Sequence, residues 1–262
     1  MKPPAEPDRW AALSALTPAR IALGRTGSSL PTREVLAFAL DHARARDAVH
    51  IPFDAAFVAG QIEALGFETL EVSSAAPDRA TYLRRPDLGR RLSPESHARL
   101  AGQSGRDFDV QLVVADGLSS TAVHAHAAPL LAALQPHIAA QGWRVGPAVL
   151  THQGRVAIGD EIGALLGARF VVLLVGERPG LSAADSLGAY LTHDPHVGRL
   201  DADRNCISNI RPAGLSYEDA ASRIAWHVLE SLRRGYSGIA LKDESATADT
   251  KLRSASASAS PK

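Results

Sequence analysis

Cysteine is almost absent from this 262-residue chain: Cys206 stands alone. No intrachain disulfide can form and no cysteine cluster can hold zinc, which suits a reducing compartment. Aromatic residues are scarce at 5%, so a core of aliphatic layers is expected. Charge of one sign is also missing, because 28 Lys+Arg balance 28 Asp+Glu. A neutral molecule has no overall field with which to gather nucleic acid or an anionic membrane. No apolar run approaches the ~20 residues that span a bilayer. The longest, residues 170–175, has the length of a strand. The opening MKPPAEPDRW lacks the apolar centre of a secretory signal. G-x-G-x-x-G, G-x-x-x-x-G-K-S/T and G-x-S-x-G are absent too, so no dinucleotide site, P-loop or nucleophile elbow is signalled. The reading is a soluble cytoplasmic protein with neither nucleic acid nor membrane as partner.

What is present is periodic. Residues 1–9 are Pro-rich and charged, and the tail 243–262 is rich in Ser and Ala; both read as disordered. Residues 10–23 contain helical spacing in Trp10, Leu13 and Leu16, and 24–29 look like a turn. Thr32 is a candidate N-cap for a helix over 32–48, with Val35, Leu36, Ala39, Leu40 and Ala43 as its stripe. Another helix is expected over 54–65, ended by Gly66. From 108 the pattern changes. Buried-strand runs at 108–115, 147–151 and 169–175 alternate with helices at 121–140 and 159–166, and a last helix covers 217–234. Such alternation indicates a parallel sheet covered on both faces, with right-handed crossovers. The expected fold is α/β: a doubly wound, mostly parallel Rossmann-like sheet with an N-terminal helical region. The expected division is a helical region over 1–100, an α/β domain over 101–242 and the tail over 243–262.

In such sheets ligands sit beyond the carboxyl ends of the strands. Those ends carry Asp116-Gly117-Leu118-Ser119-Ser120 and Gly176-Glu177-Arg178-Pro179-Gly180. The second strand leads into Gly154-Arg155-Val156 and Gly159-Asp160-Glu161. Glycine lets a large ligand approach the backbone, because no Cβ intervenes. Glu177 follows a fully apolar strand, where an ion pair with a neighbouring arginine is the competing role. Cys206, taken alone, reads as a small buried hydrophobe. His124 and His126 stand two apart on a helix, on opposite sides, so they cannot share one ion and read as helix surface. Asp160 and Glu161 open a helix, where carboxylates complement its dipole. The basic stretch 78–105, with Arg79, Arg84, Arg85, Arg90, Arg91 and Arg99, reads as a solvated face or subunit contact. It lacks the aromatics that stack on bases.

Several long blocks are similar to one family. G-R-V-A-I-G-D-E-I-G (154–163), G-E-R-P-G-L (176–181), D-S-L-G-A-Y-L-T (185–192) and D-R-N-C-I-S-N-I-R-P (203–212) closely resemble the ethanolamine ammonia-lyase small subunit, or light chain. So do L-G-R-T-G (23–27), P-T-R-E-V-L (31–36), H-A-R-A-R-D-A-V-H (42–50) and V-V-A-D-G-L-S (113–119). The likeness runs in order over residues 15–242.

The resemblance implies a large TIM-barrel subunit as partner in a hetero-oligomer, adenosylcobalamin held between the two, and conversion of ethanolamine to acetaldehyde and ammonia by a radical mechanism. The cofactor carries the radical chemistry and the protein positions it. Substrate groups lie mainly on the large subunit, so the resemblance implies no catalytic residue and no metal ligand here, and no activity without the partner. Three cobalamin contacts carry over: Val156 in G-R-V-A, Glu177 in G-E-R-P-G and Cys206 in R-N-C-I-S-N. Asp194-Pro195-His196-Val197-Gly198 falls one residue short of D-x-H-x-x-G, the pattern that replaces the cofactor's own base with histidine. The family likeness instead implies that dimethylbenzimidazole stays on cobalt. Enclosure in a bacterial microcompartment is left open. Two other readings remain: a free-standing nucleotide- or metabolite-binding module, against which the missing phosphate motifs count, and a structural or cargo protein, against which Glu177 and its flanking glycines count.

Overall fold

Strand β4 (Phe170–Gly176, FVVLLVG) is buried along its whole length. Aliphatic side chains on both faces of a pleat need a layer above and a layer below. The computed structural model, which describes residues 10–17, 19–103 and 107–245, provides both. The remaining strands are β1 (Thr69–Ser73), β2 (Val110–Ala115), β3 (Ala148–His152), β5 (Leu187–His193) and β6 (Arg204–Ile210). The helices are α1 (Thr32–His50), α2 (Ala55–Glu63), α3 (Arg79–Arg84), α4 (Pro94–Ala101), α5 (Ser120–Gln141), α6 (Ile158–Leu166) and α7 (Tyr217–Arg234). The molecule is α/β, with one six-stranded mixed sheet in the order β1-β3-β2-β4-β5-β6.

The alternation of side chains along each strand divides the core in two. Val110, Leu112, Val114, Phe170, Val172 and Leu174 pack with α2, α5 and α7. Val113, Ala115, Val171, Leu173 and Val175 pack with α4 and α6. Each fully buried aliphatic side chain contributes about 1.5–3 kcal/mol.

The mostly parallel sheet expected above describes β1, β3, β2 and β4, which run parallel. The other edge departs from it: β5 is antiparallel to β4, and β6 to β5. The reason is connection length. Residues 177–186 join β4 to β5, fewer than the dozen or more that a parallel crossover requires. β6 lies inside the block 203–212 and all but the last residue of β5 inside the block 185–192, where polar residues interrupt the apolar run. The stretch 1–100 supplies an edge strand, β1, as well as helices.

Helix starts follow local chemistry. Asp54, Asp78, Ser93, Ser119 and Ser216 each accept a backbone N–H as N-caps, worth about 1 kcal/mol apiece. Thr32 is not a cap: it is the first helical residue of α1, and Pro31 occupies the cap position without a side-chain bond. The helical spacing at 10–23 yields only a 3-10 turn, Ala11–Leu16. Segments 1–9 and 246–262 lie outside the described residues. Among the described residues no helix is long and apolar enough to cross a membrane.

Candidate functional site

β2 leads to α5 on one face of the sheet, while its neighbour β3 leads to α6 on the other. The two chains part, and a crevice opens where they diverge. A cavity of about 430 Å3 occupies it. Gly117 and Leu118 line it from the loop after β2, and Gly154, Arg155 and Val156 from the loop after β3. Gly176, Glu177 and Arg178 line it from the end of β4, with Tyr82 of α3 and Tyr190 of β5 at the sides. Val156 and Glu177 therefore share one cavity.

Cys206 does not line it. It sits on β6, paired in register with Tyr190, and is exposed. Tyr190 joins the two places, hydrogen-bonding the Cys206 thiol while facing the cavity. Burial raises the Tyr190 phenol well above its ordinary pKa, and the nearby Cys206 and Glu177 add to the rise. Desolvation also pushes the Cys206 thiol up, against the Tyr190 hydrogen bond. Both groups stay protonated at neutral pH, so Cys206 is a neutral thiol rather than a thiolate nucleophile.

Glu177 makes no ion pair among the described residues. Its Oε2 accepts from Ser186 Oγ and, at 3.3 Å, from the Asn209 backbone N–H. Oε1 accepts no hydrogen bond from the described residues. Gly188 makes room for it: a Cβ there would lie 2.8 Å from Oε1. The loops behind it touch backbone to backbone. Leu118 N–H donates to Gly176 O at 2.8 Å, and Gly117 adopts φ +57.

Beneath the cavity lies a buried ion pair. Asp116, 1% exposed, accepts from Gly154 N–H at 3.0 Å through Oδ1 and faces Arg79 Nη1 at 3.3 Å through Oδ2. Burial pushes its carboxyl up, while Arg79 and the Gly154 N–H pull it back. Tyr82 donates to Gly154 O at 2.9 Å, and the Arg155 guanidinium stacks 4.3 Å from the centre of the Tyr82 ring. Arg155 N–H donates to Gly89 O at 2.7 Å. Part of the basic stretch is therefore not a solvated face: Arg79 and Tyr82 prop the β3–α6 loop from below. Sequence reasoning passed over Tyr82 and Tyr190. The available signal was rarity, since the chain has four tyrosines and one stands among arginines.

Other candidates fall elsewhere. His126 is not helix surface; it is 4% exposed, and its Nδ1 lies 2.9 Å from the Tyr217 hydroxyl. His124 Nε2 accepts the Asp54 N–H at 2.9 Å. Asp160 does more than meet a helix dipole, because it forms a buried ion pair with Arg204. Glu161 accepts the Leu92 N–H at 2.8 Å. His196 is exposed in its turn. Among the described residues no group of His, Cys, Asp and Glu is arranged to hold a metal ion.

The α/β sheet carries a half-open cavity at the ends of its parallel strands, the place where proteins of this fold class hold their ligands. The chain belongs to the ethanolamine ammonia-lyase light-chain family, whose model (Ethanolamine ammonia-lyase light chain, EutC) matches residues 7–242. It is 57% identical over 233 residues to the ethanolamine ammonia-lyase small subunit of Rhodopseudomonas palustris strain BisA53, covering 89% of each chain. The small subunit of Ralstonia nicotianae strain GMI1000 is 56% identical over 89% of this chain and 88% of its own. That of Pseudomonas fluorescens strain Pf0-1 is 56% identical over 93% and 90%. The chain is thus an ammonia-lyase subunit, and the name small subunit implies a larger one beside it.

Proposed function

We propose that this chain forms one side of an adenosylcobalamin pocket that the large subunit completes, for conversion of ethanolamine to acetaldehyde and ammonia. The observation that carries this reading is Glu177, which lines an open cavity and whose Oε1 accepts no hydrogen bond from the described residues while Oε2 is engaged. The corrin margin bears amide side chains whose N–H groups seek such acceptors. Gly117, Gly154 and Gly176 line the same space, and their small size lets the framing loops pack against one another, since a Cβ at any of them would come within 3 Å of a protein atom. About 430 Å3 accommodates part of a corrinoid and leaves the rest for a second polypeptide. The residues fit the group.

When bound, adenosylcobalamin supplies radical chemistry through homolysis of its cobalt–carbon bond. The tasks of this chain are binding and shielding. Glu177 accepts an amide N–H, Val156 offers apolar surface, and Cys206 presents a neutral thiol beside Tyr190. Leu118 and Tyr82 keep water from one side. In this reading the parallel strands serve as a doubly wound, Rossmann-like layer, residues 101–242 carry the contacts, and the working form is a cytoplasmic hetero-oligomer.

Glu177→Ala in a complex reconstituted with the large subunit is expected to raise the half-saturating adenosylcobalamin concentration about tenfold, or ~1.4 kcal/mol. Subunit assembly should not change, as gel filtration will report. Unchanged affinity removes Glu177 from the contact set. A reconstituted pair that releases no ammonia from ethanolamine with the cofactor supplied ends the reading altogether.

A further inference from the structure

Arg79 does not line the cavity, yet it touches two of the loops that frame it. Its Nη1 donates to Gly117 O at 2.8 Å and to Gln153 Oε1 at 3.2 Å, and meets Asp116 Oδ2 at 3.3 Å. Its Nε donates to Val49 O, at the end of α1, at 2.7 Å. One guanidinium thus spans the loop after β2, the loop after β3 and the end of α1. Its carbon lies 4.9 Å from the centre of the Tyr82 ring, the same ring that supports Arg155.

Two features show that this arrangement is imposed rather than relaxed. Gln153 has φ +55, a backbone conformation that costs energy for a side chain other than glycine and persists only when its surroundings hold it. Asp116 is a carboxylate almost without solvent, and burying an unpaired charge is expensive. Arg79 answers both: it binds the Gln153 side chain and pairs with Asp116, whose other oxygen holds Gly154 N–H. We propose that Arg79 is a positioning residue that sets the separation of the β2–α5 and β3–α6 loops, and with it the width of the corrinoid cavity. The proposal rests on the adenosylcobalamin reading above. Lysine cannot stand in fully, because one ammonium lacks the planar fork that reaches several acceptors in fixed directions.

The test uses the complex reconstituted with the large subunit. Arg79→Met keeps an unbranched stem against Tyr82 and removes the fork. Hydroxocobalamin retained by the complex on gel filtration, read by its absorbance, measures binding independently of turnover. Arg79→Met is expected to weaken that binding and raise the KM for adenosylcobalamin about tenfold, with kcat within about threefold of wild type. Arg79→Lys should fall between. Wild-type binding by Arg79→Met, or a loss of kcat with KM unchanged, overturns the proposal. If Arg79→Met fails to assemble, Gln153→Ala removes a single acceptor, and a rise of about threefold in KM is expected; wild-type binding by both Gln153→Ala and Arg79→Lys overturns it equally. Glu177→Ala serves as the companion. Binding that responds to neither position sinks the corrinoid reading, whereas binding that responds to Glu177→Ala alone sinks only the role of Arg79.

Discussion

Gly176→Ala is expected to destabilise the chain by more than about 4 kcal/mol, at the severe end for a single substitution. A Cβ on Gly176 would lie 2.0 Å from Ser119 O and 2.6 Å from Asp116 O. Both are backbone atoms of the loop after β2, and neither can swing aside as a side-chain end would. That loop is pinned from two further directions, by Leu118 N–H on Gly176 O and by Arg79 on Gly117 O. Relief of the clash must therefore part β4 from the loop and spread the cavity. Thermal unfolding should report a midpoint lower by on the order of 10 °C. Gly180→Ala is the control, because its Cβ would meet nothing nearer than Ala183 O at 3.7 Å. If the two variants melt together, the backbone contact at Gly176 is not what holds the loop.

Arg204→Met is the second large effect, at about 3–5 kcal/mol. Arg204 and Asp160 side chains are each 3% exposed and face one another across α6 and β6. Arg204 also donates to Arg199 O at 2.9 Å and to Thr192 Oγ1 at 3.4 Å. Removing it strands a buried carboxylate, which is what makes breaking such a pair costly; replacing both members by apolar residues avoids most of that cost. The double variant Asp160→Leu/Arg204→Met should therefore be markedly more stable than Arg204→Met in denaturant unfolding. Simple additivity of the two single changes would show that the pair is not coupled. The pair matters to the site because α6 begins just after Val156 and β6 carries Cys206 two residues beyond Arg204.

The legible parts of the fold were those where one periodicity ran without interruption. β4 is apolar throughout, and α7 spans Tyr217–Arg234 as its spacing implied. β5 and β6 were not legible as strands. β6, reading RNCISNI, buries only Arg204, Ile207 and Ile210, a spacing that matches neither a two-residue nor a fully apolar strand pattern. At the site, Val156 and Glu177 could be placed near each other, because the carboxyl ends of parallel strands gather on one side by topology alone. The Arg79–Asp116 and Asp160–Arg204 pairs could not. Their partners are separated by 37 and 44 positions in the chain, and no local pattern links a charge to a counter-charge at such a distance.

Sequence alone was enough to determine the family, the α/β alternation, the absence of disulfide and P-loop chemistry, and the three loops that supply most of the cavity wall. These follow from local composition, spacing and short motifs, which need no knowledge of what packs against what. Only the tertiary structure decided that the far edge of the sheet turns antiparallel, that Cys206 lies outside the cavity and beside Tyr190, and that Arg79, from a seemingly exposed stretch, lies beneath it. Each of those depends on which distant segments meet in space, and burial of charge is stabilising or costly according to the partner it finds there.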